Sequence, residues 1–409
     1  MRISSSSIYQ NGVAQLGDLQ TSLAHTQNQL STGRRILTAA DDPIAAARAL
    51  EVTQSEQINL QLATNRQNAK SSLSQVDLAL SSVTSLLQDV KTLAVNGGNA
   101  TLTDADRNSI ATEISGRLDD LLGLANTADG AGGFLFSGYK VTTLPFIKTA
   151  TGAQYQGDQG QRILQVGSSR QLPISDSGNS VFENNITGNG TFVTAAQSAP
   201  PNKGSGIVSS GSVTNAAALT GQNYSITFAV APGSPPVTTF DVLNTTTGVP
   251  VSAGNAYTSG QPINFDGLQF DVRGVPADGD SFTIQPSTKQ SVFTTLTNLI
   301  TTLKTSAIGA TGQANLTNGL NAAQDNINSA LDNVLTVRST VGSRLREIDA
   351  LDGGGQDLDI QYKQTLAALQ DLDYTKALSN FAQTQTTLQA AQQSFIKIAN
   401  LSLFNYING

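Results

Sequence analysis

Apolar residues recur every seven positions at both ends of this chain. The C-terminal stripe contains Phe381, Leu388 and Phe395, with Ala391 and Ile398 at interleaved positions. The N-terminal stripe contains Leu16, Leu19, Leu23 and Leu30. Polar residues occupy most of the remaining positions, and this pattern predicts two helices with narrow coiled-coil seams. We expect the two ends, residues 1–42 and 364–409, to form a helical pair whose seams are completed by neighbouring molecules.

The segments next to the ends predict long helices. Asp42-Pro43 is typical of a helix start, with the aspartate as N-cap and proline at the first helical position. Alternating four- and three-residue spacing from Ala69 to Ala94, and again from Leu320 to Ile348, predicts a left-handed supercoil. Thr103–Asp106 has the pattern of a capping box. We expect Gly353–Gly355 to end the second long helix. Residues 43–175 and 287–363 are predicted to form a helical rod with a β-hairpin.

Between these helices the apolar period changes to two. Phe134–Tyr139 is predicted to open a strand-rich region, and Ala153–Val166 to form a hairpin. Residues 176–286 are rich in Gly, Ser, Thr and Asn and contain short alternating runs. This pattern predicts a small sandwich or barrel-like domain inserted into the helical part. The predicted fold class is α+β: a long antiparallel coiled-coil bundle from both terminal regions, a β-hairpin region and an inserted all-β domain.

Composition narrows the possible partners. The 409 residues carry a net charge of −7, only 13% are charged, and Lys and Arg do not cluster. Nucleic acid and anionic membranes are therefore poor partner candidates. The chain has no cysteine, no secretory signal pattern and no run of 18 apolar residues, which argues against disulfides and membrane insertion. A polar, weakly charged surface suits packing against other copies of the same chain.

Candidate chemistry is sparse. His25 is the only histidine, and no pattern supplies a nucleophile and an orienting acid for it. The pairs Asp41-Asp42 and Arg34-Arg35 suggest either an acid/base site or, more simply, a capped helix start with its counter-charge. Asp352, Asp357 and Asp359 lack the spacing of a calcium loop and are interpreted as acidic residues preceding a helix. We predict no catalytic, metal or cofactor-binding residue.

Several motifs resemble the flagellin superfamily. They are Gln29–Ile36 followed by Ala40-Asp41-Asp42, Gly133–Tyr139, Tyr155–Ile163, Arg338 with Val341–Leu345, and the ending Phe395–Ile407. The start Met1–Tyr9, the proline after the aspartate pair and the ending are more similar to members at the hook–filament junction than to flagellin itself. The resemblance covers both ends strongly and the middle weakly.

The resemblance implies a structural, non-enzymatic protein of the bacterial flagellum. Such a protein is secreted unfolded through the flagellar type III system and links the first hook-associated protein to flagellin. It also implies self-association in a helical ring layer and an export chaperone on the C-terminal helix. The implied assembly interface comprises the two seams, namely Leu16, Leu19, Leu23, Leu30, Phe381, Leu388, Ala391, Phe395 and Ile398, together with Arg34 and Arg35. Two alternatives stay open: a filament-forming flagellin, and a ligand-binding or enzymatic module on the β domain.

Overall fold

The part of the chain that the structure describes contains six α-helices and a β-rich middle region. The computed structural model describes the backbone of residues 5–407 and the side chains of residues 7–398. The helices are α1 Ser5–Thr32, α2 Pro43–Gly97, α3 Asp104–Ala125, α4 Val292–Lys304, α5 Gly309–Gln370 and α6 Tyr374–Ile407. The chain divides into two compact units, Met1–Thr64 with Ala350–Gly409, and Asn65–Asp349. We call them the terminal unit and the central unit; none of the described helices is long and apolar enough to cross a bilayer.

The predicted supercoil positions form the helical core of the central unit. All eight seam positions of α2 are at most 1% exposed: Ala69, Leu73, Val76, Leu80, Val83, Leu87, Val90 and Ala94. Arg338 interrupts the matching stripe of α5 and pairs with Asp77 of α2, with Nε 2.9 Å from Oδ1. The capping box before α3 is confirmed, because Thr103 and Asp106 each accept a hydrogen bond from the other's backbone N–H.

Residues 5–407 also contain fifteen strands, whose pairings are antiparallel. Their bounds are β1 Phe146–Thr149, β2 Gly152–Tyr155, β3 Ile163–Gln165, β4 Gln171–Pro173, β5 Asn185–Ile186, β6 Phe192–Ala196, β7 Ile207–Val208, β8 Ser212–Val213, β9 Tyr224–Ala231, β10 Val237–Asn244, β11 Val249–Ala256, β12 Pro262–Phe265, β13 Leu268–Arg273, β14 Ser281–Pro286 and β15 Lys289–Gln290. A short π-helical turn spans Asn179–Glu183, and a 3₁₀ turn spans Ala216–Ala218.

Two of the sheets face each other as a small sandwich. The five-stranded sheet has the order β11-β10-β9-β14-β6 and the other has the order β12-β13-β7, with β8 also paired to β13. One core joins their inner faces, with Tyr224, Ile226 and Phe228 from the first sheet and Phe270 and Val272 from the second. The five-stranded sheet stays open, with β11 and β6 at its edges, so the sandwich reading is confirmed and the barrel reading is wrong.

The predicted hairpin over Ala153–Val166 is wrong. β2 pairs with the preceding strand β1, and β3 pairs with the following strand β4. Asp158 accounts for the separation, because its carboxylate accepts hydrogen bonds from the backbone N–H groups of Tyr139, Lys140 and Gly160. These bonds hold the 156–160 loop against the segment near Tyr139, which is itself turn rather than strand.

The glycine run Gly353–Gly355 does not end a helix. α5 continues through it to Gln370, and Gly355 is buried where the amide of Asn59 on α2 donates to its carbonyl at 2.8 Å. The glycine run is therefore helical in spite of its low helix propensity, which tertiary contacts such as this one can override. Asp352, Asp357 and Asp359 therefore lie inside α5 rather than before a helix. Asp359 Oδ2 accepts a hydrogen bond from Lys363 at 2.7 Å.

Candidate assembly surface: the terminal helix pair

The two predicted seams lie against each other in an antiparallel pair of helices. At one end the rings of Tyr9 on α1 and Phe395 on α6 pack at an interplanar angle of 43°, with centroids 5.0 Å apart. At the other end Gly33 lies against the hydroxyl of Tyr374, the first residue of α6. The N-to-C helical pair predicted from the seven-residue spacing is confirmed.

Burial along the pair is incomplete. On α6, Leu388 is 8% exposed and Ala377 is 5% exposed, whereas Phe381, Ala391 and Phe395 are half-buried. The α1 seam residues are all half-buried: Leu16, Leu19, Leu23 and Leu30. Ile398 is 52% exposed, so the described pair does not cover the C-terminal end of the predicted seam.

A backbone bridge closes the pair where both helices turn. Arg35 N donates to Gln370 O at 2.7 Å, and Leu372 N donates to Gly33 O at 3.0 Å. Arg34 and Asp371 form the antiparallel bridge between the two loops. Gly33 has φ +72°, a left-handed conformation that glycine adopts without the strain of a β-carbon. The glycine after the α1 seam therefore permits the turn that sets α1 beside α6.

The charged pairs at this turn are structural. Asp42 caps α2 by accepting from the N–H of Ala45 at 3.0 Å, and its second oxygen accepts from Arg35 at 3.1 Å. The Ala45 N–H and then Arg35 hold the pKa of Asp42 below its usual value. Arg35 also donates to Leu369 O at 2.8 Å. The capping interpretation of Asp42-Pro43 is thus confirmed, and Arg35 ties the turn to the end of α5.

His25 and Asp41 form a second link at the same turn. Asp41 accepts from the backbone N–H groups of Leu37 at 2.9 Å and Thr38 at 2.8 Å, and its other oxygen lies 3.0 Å from His25 Nε2. The Thr38 and Leu37 N–H groups, with a smaller contribution from His25, lower the pKa of Asp41. Arg34 is exposed and makes no ion pair with any residue that the structure describes.

Exposed apolar side chains flank the seams. On α1 these are Ile8, Tyr9 and Val13, at 44–54% exposure; on α6 they are Tyr374, Leu378, Ile396 and Ile398, at 52–58%. Leu378 and Ile396 are 18 residues apart, which is five helical turns and places them on one face. A protein that stayed a monomer would leave these apolar side chains exposed to water.

Sequence reasoning missed three residues of the pair, although the period contained the signal. Tyr9 lies seven positions before Leu16, and Tyr374 lies seven positions before Phe381. Gly12 lies seven positions before Leu19, directly beneath the ring of Phe395. The motif Met1–Tyr9 and the ending Phe395–Ile407 lie partly outside the residues with described side chains.

The chain is similar to proteins of the bacterial flagellum. Residues 3–141 match the bacterial flagellin N-terminal helical region. The flagellar hook-associated protein 3 of Escherichia coli K12 is 28% identical over 405 residues, covering 99% of each chain. The crystal structure of flagellar hook-associated protein 3 from Legionella pneumophila is 32% identical and superposes with a TM-score of 0.73, covering 78% of this chain and 98% of that one.

A flagellin among the relatives matches a smaller part of the chain. The flagellin of Clostridium tyrobutyricum is 36% identical over 115 residues, which cover 28% of this chain and 30% of that flagellin. Of these relatives, the hook-associated protein 3 matches over the full length, whereas this flagellin matches 28% of the chain.

Proposed function

The chain belongs to the flagellar hook-associated protein 3 family and is a structural component of the flagellar hook–filament junction, and we propose that it acts there as an adapter. In this role it joins the first hook-associated protein on the hook side to flagellin on the filament side. The main support for this proposal is the terminal helix pair, because its seam residues are only partly buried. We propose no catalytic role for any residue.

The terminal pair is proposed as the surface through which subunits join. The half-buried seam residues Leu16, Leu23 and Phe395 and the exposed Leu378 and Ile396 form the apolar part of this surface. When neighbouring subunits cover this surface, each Å² of apolar area removed from water contributes roughly 25 cal/mol of favourable free energy. Arg34, exposed at the turn, is proposed to contact a neighbouring subunit, and Arg35 to hold the turn in place.

The proposed assembly follows from an interface between two different surfaces. Identical subunits joined in this way form rings or open helical polymers. A layer of this chain thereby presents one surface to the hook and another to the filament. We propose that residues 1–42 and 364–409 form the innermost part of such a layer, residues 43–175 and 287–363 the surrounding helical part, and residues 176–286 an outer domain.

Export precedes assembly in this proposal. The chain travels unfolded through the flagellar type III system, with a chaperone on the C-terminal helix α6 that covers the exposed Leu378 and Ile396. The low charged fraction and the absence of cysteine suit passage to the cell exterior without disulfide formation.

A pair of charge substitutions on α6 tests the role of the seam. Phe395→Asp places a carboxylate in the half-buried seam, and Gln393→Asp places one at an exposed position of the same helix. We expect Phe395→Asp to abolish swimming of a strain that depends on this chain, while melting of the central unit stays unchanged. Gln393→Asp is expected to swim normally.

Three outcomes contradict the proposal. Normal swimming of the Phe395→Asp strain would show that assembly does not use the seam. Long filaments grown from the purified chain alone would favour a flagellin over a junction adapter. Loss of the central unit's melting transition in Phe395→Asp would identify the seam as ordinary core.

A further inference from the structure

A groove runs along the open edge of the five-stranded sheet. The cavity has a volume of about 340 Å³, and six consecutive residues from Val193 to Ser198 line it. Side chains of a strand alternate between its two faces, so a run of consecutive lining residues means that the cavity follows the strand's edge. β6 is the terminal strand of its sheet, bonded to β14 on one side only. We call this cavity the β6 groove.

The register of β6 decides which backbone groups face the groove. Ser287 N donates to Thr191 O at 2.9 Å, and Gln197 N donates to Ser281 O at 3.0 Å. The backbone N–H and C=O groups of the odd-numbered residues therefore bond to β14, and those of the even-numbered residues point away from β14. The backbone groups of Phe192 both bond to Asn189: the N–H donates to the side-chain Oδ1, and the C=O accepts from the backbone N–H. The backbone N–H and C=O groups of Thr194 and Ala196 have no partner within residues 5–407.

One face of α5 forms the opposite wall. Its lining residues include Asn315, Asn318, Ala322 and Asp325, which are spaced by three or four, and also Asn326. From Asn315 to Asn326 this wall is about 16 Å long at 1.5 Å per residue. The five residues of β6 span about 16 Å at 3.3 Å per residue. The walls are thus matched in length to an extended peptide of about five residues.

A side chain of α5 forms hydrogen bonds with the backbone at β7, the edge strand of the neighbouring sheet. Asn318 donates to Gly206 O at 3.0 Å and accepts from Val208 N at 2.9 Å, as a strand beside β7 would. Asn326 accepts from Gly188 N at 2.9 Å. These bonds fix α5 beside the sandwich and hold the groove open, while the edge of β6 stays unpaired.

The charge of the groove selects its occupant. Asp325 is the only titratable side chain among the residues that line the cavity. Burial raises its pKa, and the hydroxyl of Ser210, which donates to it, partly offsets this effect. No cation lies in the lining to attract an acidic ligand, whereas a basic side chain would compensate the carboxylate.

We propose that the β6 groove binds an extended peptide segment of another polypeptide, which adds as a strand to β6 through Thr194 and Ala196 and directs one Lys or Arg toward Asp325. This is strand addition at a sheet edge, in which main-chain bonds supply affinity and side-chain positions supply specificity. Small lining residues, Ala195 and Ala322, leave room for the side chains of the added strand.

The test uses the full chain and the synthetic pentapeptide Thr-Val-Lys-Val-Thr with capped ends and a fluorescent label. Two N-methylated versions remove amide donors at either odd or even positions. Because only one set faces β6, one version should bind at least about tenfold more weakly, while the other binds like the parent. Replacing Lys by Glu in the peptide should also weaken binding.

Two variants of the chain complete the test. Ala196→Pro removes an N–H that the sheet does not use, and Asp325→Asn removes the groove's charge while keeping an acceptor for Ser210. Asp332→Asn, at an exposed position of α5, is the matched control and should bind like wild type. If Ala196→Pro lowers the melting temperature of the chain, the proposal is judged from the binding measured with Asp325→Asn and with the two methylated peptides. Equal binding of both methylated peptides, or no binding at about 1 mM peptide, overturns the proposal.

Discussion

Substituting two glycines of α1 tests the packing of the terminal pair. Gly17 is exposed, and a β-carbon added there meets nothing within 4 Å. Gly12 lies beneath Phe395, and an added β-carbon would come within 2.8 Å of Cδ2 and 3.0 Å of Cε2 of the ring. The two substitutions change the same helix in the same way chemically and differ only in what they face.

The expected magnitudes follow from this difference. Glycine to alanine in a helix interior favours the helix by about 1 kcal/mol, so Gly17→Ala should stabilise α1 by that amount. In Gly12→Ala the ring must move by about 0.6 Å to reach ordinary contact at 3.4 Å. The Phe395 ring also packs at a tilt against the ring of Tyr9. Overpacking costs about 1–3 kcal/mol, and we take about 1–2 here because the half-buried ring can turn partly outward. Gly12→Ala should therefore be neutral or destabilising.

Amide hydrogen exchange of the full chain measures both effects. Peptides from α1 should gain about fivefold protection in Gly17→Ala and none in Gly12→Ala, with a parallel loss in α6 peptides around Phe395. Exchange in the central unit should be unchanged in both variants and serves as the internal control. Equal gains in protection for the two variants would refute the packing of Phe395 on Gly12.

Three further predictions concern the rest of the chain. The pKa of Asp104 is lowered to about 2, first by Arg107 and then by Ser306 and the Ala307 N–H. Its stabilising effect is thus present above the usual carboxyl pKa near about 4 and lost as pH falls toward 2; Asp104→Asn should flatten this acid limb in melting curves, and an unchanged limb would contradict the assignment. Phe293→Ala should lower the unfolding free energy by about 3–5 kcal/mol in denaturant titration, because the fully buried ring packs 5.0 Å from Phe146; a loss below 1 kcal/mol would argue against this core. Removing residues 1–40 and 365–409 should leave a soluble chain with one cooperative calorimetric transition, and aggregation of that chain would count against an independent core.

The positions of most helices were predictable because their signals are local. The apolar residues from Ala69 to Ala94, which are spaced by four and three, are buried on one side of α2. Their spacing alone identifies that side, without knowledge of distant residues. The Thr103 capping box and the Asp42 cap act within a few residues of their partners. The alternation of Tyr224, Ile226 and Phe228 likewise assigns one face of β9 to the core.

Distant contacts decided what the sequence pattern could not. Asp158 held the 156–160 loop against the segment near Tyr139 and so redirected the pairing of β2 and β3. The glycine run in α5 stayed helical because Asn59 packs on Gly355. Glycine is a helix breaker only when nothing compensates its low propensity, so its effect depends on residues far away in sequence.

The sequence by itself determined the helical seams, the alternating strands and the shortage of charge, since these depend on residue type and period. The pairing of the two ends was also predictable, but only the tertiary structure decided that Phe395 rests on Gly12 and that β6 presents an unpaired edge to α5. Period specifies which face of an element is apolar. Which partner covers that face depends on chain segments hundreds of residues apart, and their meeting is a property of the folded chain.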